Sequence, residues 1–187
     1  MLCTRTDKIL DPDLCRQICD LYFASFEGSE VECAQNQVCF TKSSMTEALG
    51  DSDYIKYLLW SDDDVVIGFS LLSSNLDKAA RIAYQNPFFW ERQFEEKKGL
   101  IFYFPGLFIE KAHRHSNAFA TLVGPMFEHI DEVAGVAAFD FSKRKNPNLA
   151  EMLKALCDRR HASGTSKTSR VTLVIGDEQV YAALSLD

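Results

Sequence analysis

Lys111, His113, Arg114 and His115 cluster where an apolar run gives way to an amphipathic one, in LFIEKAHRHSNAFATLVGPMF (Leu107–Phe127). If the second run is a helix, its free N–H groups and positive dipole end meet this charge. Such a corner binds a phosphate or diphosphate. The same residues also suit a solvated basic turn capped by Ser116, and the corner by itself leaves both readings open. His113 and His115 titrate in the range useful for proton transfer. Glu110, Tyr84 and Tyr103 complete the acid–base candidates near this region.

The six cysteines, Cys3, Cys15, Cys19, Cys33, Cys39 and Cys157, contain no CxxC pair, and the nearest histidine lies far along the chain. Zinc needs four ligands at close quarters, so no metal is expected. Reduced, mostly buried thiols are the reading, with Cys15 and Cys19 four apart on one helix face. The N-terminal segment lacks the apolar core of a signal peptide, and no apolar run approaches a membrane span. We therefore expect a cytoplasmic protein that does not enter a membrane. A net charge of −7 over 187 residues also disfavours nucleic acid as a partner.

The elements that must position the corner are readable from pattern. CTRTDKI suits a first strand. In DPDLCRQICDLYFASFEG, Asp11 caps, Pro12 takes the first helical position and Gly28 stops the helix. SSMTEALG reads as a short helix with a capping box from Ser44 to Glu47. Two apolar runs flank Asp62, Asp63 and Asp64 as a hairpin. NPFFWERQFEEKKG reads as an inserted helix whose Phe88, Phe89 and Trp90 either seal it to a sheet or wall a pocket. LIFYFPGLFIE is a strand broken or bulged at Pro105 and Gly106.

From Ser116 a helix carries Phe119, Leu122, Val123, Met126, Phe127 and Ile130 on one face, with Pro125 inside it. GVAAFDF follows as a buried strand. NPNLAEMLKALCDRR is a helix with Asn146 as cap, HASGTSKTS a disordered loop, and the last residues a hairpin turning near Gly176 and Asp177. Residues 100–141 then form a strand–helix–strand unit with parallel strands and a right-handed crossover. The class is α+β, or α/β in looser usage, with one mixed sheet of about seven strands and a single domain over 1–187.

This order of elements, with the corner, resembles the GNAT superfamily of N-acetyltransferases, which use acetyl-coenzyme A. The family signature is similar to V-x-P-x-x-R-G-x-G-x-G/A at the end of the fourth strand. Ile109 takes the Val place, Lys111 the Pro place and Arg114 the Arg place. His115, Asn117 and Phe119 stand where the family carries glycine, or glycine or alanine. A second family element is similar to N-x-x-A-x-x-L-Y and puts Asn146 at its asparagine, with Leu153 at the tyrosine that protonates the departing thiolate. The acidic residue of some members falls near Pro105.

The resemblance implies an acyl-CoA-dependent N-acyltransferase that moves acetyl from acetyl-CoA to a small-molecule or peptide amine by direct attack. The coenzyme would lie on Phe108, Ile109, Lys111, Arg114, His115, Ser116, Asn117, Ala118, Phe119 and Asn146. An N–H near Ile109 would face the thioester carbonyl, and amides between residues 114 and 119 would converge on the diphosphate. Tyr103 is the catalytic candidate. The alternative is a catalytically silent GNAT-like binding or regulatory module. The C-terminal hairpin edge makes a homodimer possible.

Overall fold

The pairing of β4 (Ile101–Ile109) with β5 (Val136–Ser142) is short for strands of this length. The computed structural model describes residues 1–25, 40–82, 94–114, 116–142, 147–164, 168–176 and 179–186. In chain order they form β1 (Leu2–Thr6), α1 (Pro12–Ser25), α2 (Lys42–Gly50), β2 (Ile55–Trp60), β3 (Val66–Ser73), α3 (Leu76–Ile82) and β4. After β4 come α4 (Ala118–Glu132), β5, α5 (Leu149–Ala162), β6 (Thr168–Gly176) and β7 (Gln179–Leu186). Single 3-10 turns sit at Glu95–Lys97 and Lys111–His113. The strands make one sheet in the order β1-β2-β3-β4-β5-β7-β6. Only β4 and β5 are parallel, as the strand–helix–strand reading requires. The class is α+β, as expected.

Local chemistry sets several boundaries. Asp11 accepts the Asp13 N–H at 2.9 Å, and Pro12 opens α1. The capping box of α2 stands three residues earlier than expected: Thr41 and Ser44 exchange bonds, with the Ser44 N–H on Thr41 Oγ1 at 3.1 Å and the Thr41 N–H on Ser44 Oγ at 2.9 Å. The cap of α5 is Asn148, not Asn146, and α5 runs through His161 and Ala162 into the stretch expected to be a loop. The short helix α3 was not anticipated. Gly28, the aromatic insert Phe88, Phe89 and Trp90, Tyr84, Lys143–Asn146 and Asp177 lie outside the described residues.

Two cores flank the sheet. Residues Leu122, Val123, Met126 and Ile130 of α4 and Leu153, Leu156 and Cys157 of α5 pack on one face with Phe102, Phe104 and Ile109 of β4. On the other face lie Ile18 and Tyr22 of α1, Met45 and Leu49 of α2, and Leu76 and Ala79 of α3, against Phe69, Leu71 and Tyr103. Burial pushes the Cys157 and Cys3 thiols up to about 11, so both stay neutral thiols near neutrality. The described cysteines are all free, and among the described residues no three potential metal ligands come together. No helix among these residues is long and apolar enough to cross a membrane.

Three polar residues, Lys56, Ser70 and Ser73, are buried among the described residues, and Lys56 alone is charged. Lys56 is fully buried, and its ammonium donates to the carbonyls of Asp7 at 2.8 Å, Tyr54 at 2.7 Å and Asp51. It ties the β1–α1 turn to the segment between α2 and β2. Burial pulls Lys56 down to about 8, with Asp51 and Asp7 opposing the shift.

Two tests follow from this architecture. Lys56→Met removes three hydrogen bonds, leaving the Asp51 carbonyl with the Tyr54 N–H, and is expected to lose about 3 kcal/mol in urea unfolding at pH 7. The folded chain releases this proton near pH 8 and the unfolded chain near the ordinary lysine value, so unfolding takes up a proton between them. Stability of the parent should therefore rise relative to Lys56→Met as pH climbs through that window. At Gly135, a Cβ would lie 2.8 Å from the Leu100 carbonyl oxygen, which accepts the Val136 N–H at 2.8 Å where β5 begins. Gly135→Ala is expected to cost about 2 kcal/mol by the same assay, since backbone cannot yield as a side chain can.

Candidate functional site

The site begins with a counting mismatch. On β3 and β4, Leu71 faces Gly106 while Ser73 faces Tyr103, so two steps on one strand oppose three on the other. The extra residue falls at Phe104–Pro105, a bulge at the place where proline has no N–H to give. The bulge resets side-chain alternation. Phe102, Phe104, Leu107 and Ile109 turn to the α4 face, whereas Tyr103 and Phe108 turn to the α1 face.

The parallel ladder then stops. β4 pairs with β5 only from Ile101↔Val136 to Tyr103↔Ala138, although both strands continue. β5 remains paired on its other side with β7, from Ala137 to Ser142. A wedge opens between the second half of β4 and β5, with Tyr103 at its apex. The Glu110 N–H bonds the Ile67 carbonyl at 2.8 Å, which marks Glu110 and Ile67 as a hydrogen-bonded pair. Such pairs alternate along an antiparallel ladder. Phe108 and Gly106 therefore direct their N–H and C=O groups to β3, while Leu107 and Ile109 direct theirs toward the wedge. Arg114 Nε donates to the Ile109 carbonyl at 2.9 Å. The N–H groups of Leu107 and Ile109 are left facing the wedge, and no described residue accepts from them.

The corner follows directly. Glu110 opens the 3-10 turn Lys111–His113, and its carboxylate meets His113 Nδ1 at 2.9 Å. Two of the acid–base candidates thus hold each other on the surface. The Ser116 hydroxyl donates to the His113 carbonyl at 2.7 Å and accepts the Ala118 N–H at 3.1 Å. Asn117 is the formal cap of α4, but its side chain makes no capping bond. The corner amides divide into two sets. Those of Arg114, Ser116 and Ala118 are taken by Lys111 O, His113 O and Ser116 Oγ. Those of Asn117, Phe119 and Ala120 have no acceptor among the described residues. The Phe119 ring, half-buried, packs with Leu107 against the α4-side core. Lys111 and Arg114 are exposed, and Ala118 is buried. His115 and Asn146 lie outside the described residues.

The opposite face of β4 is aromatic. Tyr22 of α1 meets Phe108 edge-on with ring centroids 4.7 Å apart, and Phe40 at 5.8 Å. The Phe40 N–H donates to Tyr22 Oη at 2.8 Å. The Phe108 ring folds back over Gly106, where an added Cβ would lie 2.5 Å from it, so only glycine fits there. Tyr103 is buried on this same face. Leu153, at the family's tyrosine place, is buried core. A separate cleft of about 420 Å³ lies between the β1–α1 turn, α1 and α2, lined by Ile9, Cys15, Cys19 and Thr46. None of its lining residues belongs to β4 or α4.

Sequence reasoning found the corner and the bulge. It paired Leu107 with Ile109 on one face and Phe108 with Glu110 on the other, but missed the wedge-facing Leu107 N–H and which helix each face meets. It also missed Ser70 of β3, fully buried, whose hydroxyl donates to the Gly106 carbonyl at 2.9 Å. The one signal for Ser70 was a hydroxyl inside the apolar run VVIGFSLL.

No family model and no curated protein matches the sequence. Solved structures do match over almost the whole chain. A GNAT-family acetyltransferase from Listeria monocytogenes superposes with a TM-score of 0.62 at 8% identity, over 98% of this chain and 95% of that one. An N-acetyltransferase from Staphylococcus aureus gives 0.55 at 10% identity, over 100% and 99%. A Salmonella typhimurium protein assigned as an acetyltransferase, solved with its cofactor acetyl-CoA, gives 0.53 at 12% identity, over 100% and 95%. At such identities the likeness establishes the architecture: this chain has the GNAT acetyltransferase fold.

Proposed function

We propose that the protein is an acyl-CoA-dependent N-acyltransferase that takes acetyl-CoA as donor and an amine, small or peptidic, as acceptor. The observation that carries this reading is the wedge. A strand edge presents the N–H groups of Leu107 and Ile109 to a gap, and a helix N-terminus with three further N–H groups stands beside it. An extended acyl-thioester arm would complete the strand edge, with its diphosphate against the amides of Asn117, Phe119 and Ala120. Lys111 and Arg114 would add positive charge there. Phe108, His115, Ser116, Ala118 and Asn146 complete the proposed coenzyme surface.

The chemistry needs little more than positioning. The amine nitrogen attacks the thioester carbonyl carbon and forms the C–N bond. The carbonyl electrons move to oxygen, where a wedge-facing N–H stabilises the oxyanion. On collapse the C–S bond breaks and sulfur leaves with the electron pair. The proton lost by nitrogen reaches the thiolate through solvent or through Tyr103, which stands at the wedge apex. Leu153 cannot give a proton.

A second reading has its own observation. Half of the described corner amides already have intrachain acceptors, as they would in a silent module that has no use for a coenzyme. Thermal unfolding with acetyl-CoA tests the first reading. At a hundredfold excess over the dissociation constant, stabilisation of about 2.7 kcal/mol is expected, read as a rise of several degrees in Tm. Replacing Ser116, Asn117 and Ala118 by glutamate should abolish the rise. No rise at millimolar acetyl-CoA overturns the donor assignment, and a rise without thiol release in the presence of an amine panel favours the silent module.

A further inference from the structure

Ser70 places a hydroxyl in the middle of the sheet beside the bulge, and hydrophobic burial does not explain it. It is fully buried on β3, opposite Leu107. Its neighbours along the strand, Phe69 and Leu71, are core. A buried hydroxyl is kept only where it makes a hydrogen bond, and this one donates to the Gly106 carbonyl at 2.9 Å. That carbonyl already points into the β3 ladder, because Leu71 and Gly106 are a hydrogen-bonded pair by the alternation set at Glu110. The Gly106 oxygen thus accepts on both of its lone pairs, at the first peptide group after the bulge.

The peptide group that carries this oxygen also carries the Leu107 N–H. A trans peptide is planar, and its C=O and N–H point in opposite directions. Two donors fixed on the oxygen therefore fix where the N–H points, which is into the wedge. They also polarise the amide. A carbonyl that accepts strongly leaves its own N–H a stronger donor, because hydrogen bonds in a chain reinforce one another. Without Ser70 this peptide would be held by one ladder bond beside a bulge and a proline, where the pairing is already irregular.

We propose that Ser70 is a positioning residue for acyl transfer: through the Gly106–Leu107 peptide it aims and strengthens the Leu107 N–H as the donor to the thioester oxyanion. This rests on the acyltransferase reading above, and it assigns the oxyanion donor to Leu107 rather than to Ile109. Ile109 sits further from the apex at Tyr103.

The experiment measures thiol release from acetyl-CoA in parent, Ser70→Ala and Ser70→Thr. A weakened oxyanion donor should lower kcat about tenfold in Ser70→Ala with KM for acetyl-CoA within about twofold, a loss smaller than deletion of a whole donor. Ser70→Thr, which keeps the hydroxyl, should restore most of the rate. Bound acetyl-CoA labelled with carbon-13 at the thioester carbonyl should show its infrared stretch at lower frequency in the parent than in Ser70→Ala. Should Ser70→Ala fail to fold, Ser70→Cys keeps the shape with a weaker donor and carries the same expectations. Unchanged kcat and stretch in a folded variant, or a loss confined to KM, overturns the role of Ser70 and leaves the acyltransferase reading standing. A parent that neither binds acetyl-CoA nor releases thiol overturns both.

Discussion

The structure depends on the early end of one ladder. β4 and β5 run parallel and could pair along their whole length, yet they part after Tyr103 and Ala138. The cause lies on the other side of β4. An extra residue at Phe104–Pro105 shifts the register against β3, and a bulged strand bends and twists more strongly than a regular one. β5 keeps an unbroken register with β7 across Ala137–Ser142. One strand is bulged and its neighbour is not, and beyond Tyr103 and Ala138 the edge between them is unpaired. A protein that leaves main-chain donors on an internal strand edge leaves polar groups that call for a partner. Under the proposed function, an extended ligand would supply that partner in place of a strand.

The same bulge distributes the side chains. Had alternation continued unbroken through Pro105, Leu107 and Ile109 would have shared a face with Tyr103. Instead they join the α4-side core with Phe102 and Phe104, and Phe108 turns to Tyr22. The apolar surface on both faces is thereby used up in holding α1 and α4 to the sheet. What remains for chemistry is mostly backbone. This agrees with the sparse supply of acid–base side chains: His113 and Glu110 bind each other at the surface, and Leu153 fills the core. Catalysis by positioning and by oriented N–H groups requires no perturbed side chain at all.

At the corner, side-chain chemistry substitutes for glycine. A glycine-rich loop frees its amides by adopting conformations closed to other residues. The described corner residues keep ordinary backbone angles, with Asn117 at φ −75°, and Ser116 organises the turn. The consequence is that alternate amides are spent internally. The bulky ring at Phe119 is accommodated half-buried, packed against the α4-side core.

Much of this was legible in the residues alone. Asp11–Pro12, Pro105–Gly106 and the acidic hairpin Asp62–Asp64 act through local backbone rules, so their roles could be read without a fold. The parallel unit and the class followed from the order of elements. Positions with two equivalent local signals were misread: Thr41 and Ser44 both offer a hydroxyl, Asn146 and Asn148 both flank Pro147, and nothing local chooses between them. The helix α5 continues past its expected end to Ala162, and its Arg160 reaches Glu128 of α4 at 3.4 Å, a contact no local pattern announces. The sequence determined that β4 must be interrupted. Only the tertiary structure decided which amides the interruption frees, because that depends on the rung at which β3 resumes pairing and on a hydroxyl of Ser70 arriving from another strand.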